Sequence, residues 1–321
     1  MEEQRTNLSL FSEKINEVKA EIARVIVGQQ EAVDLLLTCI LANGHVLIEG
    51  VPGVAKTLTA RLLARLIDAK FSRVQFTPDL MPSDVLGTTV FNMQTSSFDF
   101  HEGPVFADIV LVDEINRAPA KTQAALFEVM EERQVTIDGE THRMGDIYTI
   151  LATQNPVEQE GTYKLPEAQL DRFLMKITMG YPTTEEEIRI LERHQQNTAF
   201  TQLNEMKPIL TQPELIHLRT LLGNVVVDRS LLQYIAQIVE QTRTSRAVML
   251  GASPRASVAM LQTAKAFALL RGRDFVTPDD VKAVTPAVLQ HRLILTAEAE
   301  MEGYTSEKVA RKLIDKVEVP K

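Results

Sequence analysis

His45-Val46-Leu47-Ile48-Glu49 is a short apolar run of strand type that leads without a break into Gly50-Val51-Pro52-Gly53-Val54-Ala55-Lys56-Thr57. The chain then continues as the helical pattern Leu58-Thr59-Ala60-Arg61-Leu62-Leu63. A strand, a glycine-rich turn and a helix in this order leave few folds open, because the strand must be buried and the turn must wrap around its own amides. Glycines let the backbone N–H groups curl around a phosphate, and the helix N-terminus adds partial positive charge. In that arrangement Lys56 reaches the outer phosphates and the Thr57 hydroxyl reaches a magnesium ion. Glycine ordinarily precedes the lysine, and here Ala55 does. That slot is expected at the start of the helix, with a right-handed backbone that tolerates a Cβ.

The rest of the first two hundred residues alternates further strand-type runs with helical patterns. Residues 72–76, 108–114, 147–153 and 173–179 join 45–49 as near-continuous apolar strands, whereas 8–24 and 29–42 read as amphipathic helices, the second with Leu35, Leu36, Cys39 and Ile40 on one face. Such spacing predicts an α/β fold with a parallel sheet covered on both sides. The run Ile109-Val110-Leu111-Val112 ends in Asp113 and Glu114. A parallel strand beside the loop-bearing strand carries both carboxylates to the edge where ligands bind in open α/β sheets. There Asp113 is suited to the magnesium shell, and Glu114 to polarising an attacking water.

Two stretches interrupt the rhythm. Residues 89–102 alternate around Gln94-Thr95-Ser96, and residues 133–144 do so around Asp138-Gly139, which favours a tight hairpin. After about residue 200 strand patterns stop. Thr211-Gln212-Pro213-Glu214 and Thr277-Pro278-Asp279-Asp280 are helix-opening capping sequences. The expected organisation is an α/β core over 1–200, a linker over 201–228 that includes the first of these helix starts, and an all-helical unit over 229–321.

Composition narrows the function classes. The 34 basic and 43 acidic residues leave a net charge of −9, which disfavours indiscriminate binding to a nucleic-acid backbone. One cysteine, Cys39, excludes an internal disulfide and a multi-thiolate zinc site and suits a reducing cytoplasm. The six histidines lack metal-ligand spacing and are assigned to the surface or to packing, and Met249 and Met260 to the core. No apolar run reaches the ~18 residues of a membrane span, and the opening residues are not expected to be a signal peptide.

Three segments together, Gly50–Thr57, Val112-Asp113-Glu114-Ile115-Asn116-Arg117-Ala118 and Leu165-Pro166-Glu167-Ala168-Gln169-Leu170-Asp171-Arg172-Phe173, resemble the MoxR family of AAA+ ATPases over roughly residues 20–300. The alanine at 55 is common in that family. The resemblance implies Walker A and Walker B motifs at 50–57 and 113–114, with Leu58 adjoining the first. It also implies a sensor asparagine at Asn155 in Ala152-Thr153-Gln154-Asn155-Pro156, an arginine finger at Arg172 that completes a neighbouring subunit's site, and a sensor arginine at Arg255 on a lid helix that contacts the γ-phosphate. Arg117 is either a further interface residue or simply paired. Val27, Gly28 and Gln29 line an adenine pocket, with Tyr181 and Ile188 on the other side. The hairpins correspond to the helix-2 and pre-sensor-1 inserts of this branch. Phe91, Phe98 and Phe100 then either contact a partner or pack the first hairpin onto the sheet.

The function so implied is magnesium-dependent ATP hydrolysis by a ring, a hexamer in the family pattern. Such a ring remodels a protein partner during maturation or cofactor insertion, a von Willebrand factor A-type protein being one candidate. The protein is expected in the cytoplasm, with no nucleic-acid ligand. A nucleic-acid motor and an ATP-dependent scaffold with little turnover remain as alternatives: DNA-stimulated hydrolysis would mark the first, and absent phosphate release the second.

Overall fold

The structure is a computed structural model that describes residues 2–155, 163, 165–195 and 206–320, with side chains from residue 11 onward. All five expected strands form, as β1 (Val46–Gly50), β2 (Phe71–Gln75), β5 (Ile109–Asp113), β8 (Thr149–Gln154) and β9 (Met175–Met179). They make one parallel sheet in the order β2-β5-β8-β1-β9. The acidic strand β5 is therefore not beside β1, because β8 lies between them. Both still end at the same edge of the sheet, since all the strands run in one direction.

Strand periodicity divides the sheet into two faces. Val46, Ile48, Ile109, Leu111, Leu151, Met175 and Ile177 belong to one core cluster with helices α1 (Glu2–Val25), α2 (Gln30–Leu41) and α3 (Lys56–Leu66). Leu47, Val110, Val112, Ile150 and Ala152 belong to the other, with helix α5 (Ala120–Glu132) and the short α4 (Pro82–Leu86). In α1, Phe11, Ile15, Val18 and Ile22 are buried at helical spacing. Helix α2 is buried almost all round rather than on one face, because α1 and the C-terminal helices enclose it.

The hairpins form as separate two-stranded ribbons, β3 (Gly87–Asn92) with β4 (Ser97–Glu102) and β6 (Gln134–Ile137) with β7 (Glu140–Arg143). Asp138 and Gly139 both take positive φ, as a two-residue hairpin turn requires. The ribbons touch each other: Phe100 stacks on His142, and the Thr89 hydroxyl donates to the Asp138 carboxylate. Phe98 is 71% exposed and Phe91 about half exposed, paired edge to face, so these two do not pack the ribbon onto the sheet.

The short α6 (Glu167–Leu170) precedes β9, and beyond the strand come α7 (Thr184–Gln195) and α8 (Gln212–Leu221). The helical unit follows as α9 (Arg229–Thr244), α10 (Pro254–Leu270), α11 (Pro278–Leu289), α12 (Ala297–Met301) and α13 (Ser306–Asp315), with β10 (Val248–Leu250) pairing β11 (Ile294–Leu295). Capping boxes open α8 and α11 as expected. Met260 is buried, but Met249 is 68% exposed because it sits on the short β10 ribbon. Helices α10 and α11 pack on α2 and β9, so the helical unit shares one apolar cluster with the sheet.

Candidate active site

The C-terminal edge of the sheet gathers the phosphate loop and the acidic pair. Strand β1 ends at Gly50, the loop turns, and α3 begins at Lys56. Gly53 has φ +87°, and a Cβ added there would meet nothing within 4 Å, so the loop's backbone faces open space. The first turn of α3 has no side-chain cap, which leaves its amides available to an anion. Uncapped amides, a left-handed glycine facing a void and a lysine at the helix start fit a polyphosphate. The Lys56 ammonium donates to the Gly50 carbonyl at 2.6 Å, folding across the loop. Val54 is buried, Val51, Ala55 and Leu58 pack against the core, Pro52 is exposed, and Thr57 occupies the first helical turn.

Ala55 corrects an expectation. Its φ is +61° and ψ 24°, so the residue is left-handed, not right-handed. The loop must reverse direction immediately before the helix, and a left-handed residue makes that reversal. For a residue with a Cβ the conformation costs roughly 1–2 kcal/mol.

Around the acidic pair a small network closes. Asp113, buried at the end of β5, accepts from Arg73 Nε at 2.6 Å and from the Thr153 hydroxyl at 3.2 Å. The same hydroxyl accepts the Glu114 amide at 3.0 Å. Glu114 is also left-handed (φ +56°), and its carboxylate accepts from Gln75 Nε2 at 2.8 Å and Arg117 Nη1 at 2.9 Å. Arg117 thus has a pairing role beside Glu114. Buried Asn155 directly follows β8, in register with the end of β1, which sets it between the loop and the acids. Pro156 lies outside the described residues. Sequence reasoning gave Arg73, Gln75 and Thr153 no role; Gln75 and Thr153 stand near the C-terminal ends of their strands, whereas Arg73, in the middle of β2, carried no such signal.

A cavity of about 410 Å³ adjoins this edge. Gly28, Gln29, Ala32, Ile177 and Tyr181 lie on its core side, and Ala283, Pro286 and Arg311 on the side of the helical unit. Gln29 Nε2 donates to the Gly180 carbonyl at 3.1 Å, tying the two core segments together. Gly28 has φ +78°, and a Cβ there would strike the Glu186 carboxylate. Val27 and Ile188, expected in this pocket, do not form its wall, and Ile188 is exposed on α7.

The two remaining arginines are elsewhere. Arg172 precedes β9, and in the β1–β9 register Met175 pairs with Val46 whereas Met179 pairs with Gly50. Arg172 is therefore at the N-terminal edge of the sheet, about 15 Å of strand away from the loop. It donates to the Phe127 carbonyl at 2.6 Å and pairs with Glu131 at 2.8 Å. Arg255 sits at the same edge, 3.6 Å from Asp171 and 71% exposed, so it cannot contact a γ-phosphate on its own chain's loop. Both line one cleft with Arg133 and Arg292. Strand direction and the docking of α10 on α2 decide this, and neither is visible in the local sequence.

Burial dominates two histidines at this arginine edge. His45 accepts the Ile150 amide on Nδ1 and donates from Nε2 to the Met130 carbonyl, and burial, aided by the Arg133 charge, lowers its pKa to about 3. His291 donates to the Phe173 carbonyl, and burial likewise holds it neutral. Among the described residues no group of acidic, histidine or cysteine side chains is arranged to hold a metal ion by itself, and no helix is long and apolar enough to cross a membrane.

Comparison with known proteins agrees with this geometry. Residues 45–175 match the ATPase family associated with various cellular activities (AAA), and residues 240–313 match the AAA lid domain. The uncharacterized protein YeaC of Bacillus subtilis is 47% identical over 93% of this chain and 92% of its own. Chaperone MoxR1 of Mycobacterium tuberculosis is 45% identical over 94% of this chain and 81% of its own. The crystal structure of a candidate ATPase from Cytophaga hutchinsonii superposes with a TM-score of 0.90 at 40% identity, covering 100% of this chain and 99% of that one. Loop, acidic strand end, helical unit and full-length likeness converge: the chain is an ATPase that belongs to the MoxR family of AAA+ proteins.

Proposed function

We propose that the protein hydrolyses ATP in a ring of identical chains and uses the cycle to remodel a protein partner. One observation carries the reading: the loop and acids occupy one edge of the sheet, and Arg172 and Arg255 the other. A single chain then holds two half-sites that face away from each other, and head-to-tail association joins them. In this reading the loop amides of residues 50–57 and Lys56 hold the phosphates, and the cavity beside Gly28, Gln29 and Tyr181 takes the base. Glu114 accepts the proton of the attacking water, and Asn155 orients that water. Thr57 and Asp113 are the residues suited to magnesium, which neutralises phosphate charge when bound. Arg73, paired with Asp113, must yield when that shell forms. The neighbour's Arg172 and Arg255 supply cationic charge where negative charge spreads in the transition state.

Remodelling of a protein rests on the chaperone relative and on the exposed Phe91 and Phe98 of the first ribbon. A von Willebrand factor A-type protein is one candidate target, a hexamer the expected ring and the cytoplasm the expected compartment. Residues 1–200 would serve as the motor core, 201–228 as linker and 229–321 as lid. The test is the ATPase rate per subunit across a dilution series, with sedimentation run in parallel. Activity should appear only where rings form; full activity in a sample that sediments as monomer would refute the split site.

A further inference from the structure

Strand β9 is the last strand of the sheet, and among the described residues no strand pairs with its outer side. Three consecutive side chains at the end of α11 cover that side instead. Gln290 donates to the Lys176 carbonyl and accepts from the Thr178 hydroxyl at 3.3 Å. His291 donates to the Phe173 carbonyl at 3.0 Å. Arg292, with only 5% of its side chain exposed, donates to the Phe173 carbonyl at 2.8 Å, to the Leu174 carbonyl at 3.2 Å and to the Asp171 carboxylate at 2.7 Å. The second Asp171 oxygen faces Arg255 at 3.6 Å. The segment that carries Arg172 is thus bonded along its length to the helical unit that carries Arg255.

The structure assigns Asp171, with Gln290-His291-Arg292, the role of a positioning device that locks Arg172 and Arg255 into one rigid surface. Asp171 touches neither arginine's target; it acts by bridging Arg255 to the buried Arg292 and by fixing the backbone beside Arg172. Lid and finger of one chain then move together, and the motion that accompanies turnover runs between one chain's helical unit and the next chain's loop. Without the Asp171 carboxylate, the Arg292 charge stays buried without its anionic partner, and the segment loses its fixed register.

This inference rests on the reading that Arg172 acts on a neighbouring chain, and the experiment separates the two. Arg292→Ala removes several hydrogen bonds at once and risks unfolding, so Asp171→Asn, which keeps the shape, is the test variant. Its kcat should fall about 10- to 100-fold, the loss expected when an acting group is misplaced by about an ångström. Affinity for a fluorescent ATP analogue should stay at the wild-type value, because the loop is at the other edge. Mixing with Lys56→Ala subunits should restore activity, since those chains donate an intact arginine surface to the intact loops of Asp171→Asn. Wild-type kcat in Asp171→Asn, or a loss that mixing does not recover while the loss in Arg172→Ala is recovered, overturns the positioning role. If Arg172→Ala itself keeps full activity or is not recovered by mixing, the trans reading falls and the inference falls with it.

Discussion

The two edges of the central sheet are built by different means. At the loop edge, the candidate site residues fall in short stretches at the ends of strands: 50–57, 113–114 and 155. Backbone amides and left-handed residues at 53, 55 and 114 do much of the shaping there. At the arginine edge only Asp171 shares a short stretch with Arg172. Arg172, Arg255 and Arg292 come from distant parts of the chain and are gathered by Asp171, buried histidines and helix packing. A phosphate loop can be written as a short motif, whereas most of the arginine edge depends on how distant segments pack.

Complementation tests that contrast most severely. Arg172→Ala should lower kcat by about 10³–10⁵-fold, the range measured for arginine fingers, with ATP binding intact. Activity should return when these chains are mixed with a loop-edge variant such as Lys56→Ala. Next in size, Glu114→Gln should cost about 10²–10⁴-fold in kcat while retaining ATP. It should be complemented by Arg172→Ala but not by Lys56→Ala, because the last pair shares one edge. Recovery in the Glu114→Gln and Lys56→Ala mixture would break the two-edge comparison, as read out by phosphate release across mixing ratios.

Acid should act first on the arginine edge. His45 has a folded-state pKa near 3 and an ordinary unfolded value near 6.5, so the unfolded chain takes up a proton that the folded chain refuses. Its contribution is fully present above pH ~6.5 and is lost as pH falls toward the folded value, at up to about 1.4 kcal/mol per pH unit. His291 shifts in the same direction. Urea midpoints at pH 7 and pH 5.5 should differ accordingly, above the range in which Asp280 and Glu214, whose pKa values are lowered, give up their share. Equal midpoints would remove the buried histidines from the account. The smallest effect concerns the loop edge: Ala55→Gly should stabilise the fold by about 0.5–1 kcal/mol, as relief of the left-handed alanine outweighs the added freedom of the unfolded chain. A lower melting temperature would contradict the geometry at 55.

Much of the loop edge was legible because its signals are short-range. Strand-to-loop-to-helix order, carboxylates at a strand end and Asp-Gly in a hairpin each depend on residues within a few positions of one another. The same reading misjudged Ala55, because a backbone's hand at one residue answers to the path of the whole loop. It also favoured burial of Met249, which hinges on how the β10 ribbon docks, and it left open which chain's phosphates Arg255 would face.

By itself the sequence determined the five strands, the phosphate loop, the acidic pair, the two hairpins and the helical C-terminal unit, because hydrophobic periodicity, turn residues and caps act locally. Only the tertiary structure decided that β8 separates β1 from β5, that Gln290, His291 and Arg292 cover the outer side of β9, and that two arginines share the edge away from the loop. Those outcomes come from packing and hydrogen bonding between residues far apart in the chain, where what selects a partner is the free energy of the assembled core rather than any neighbour in sequence.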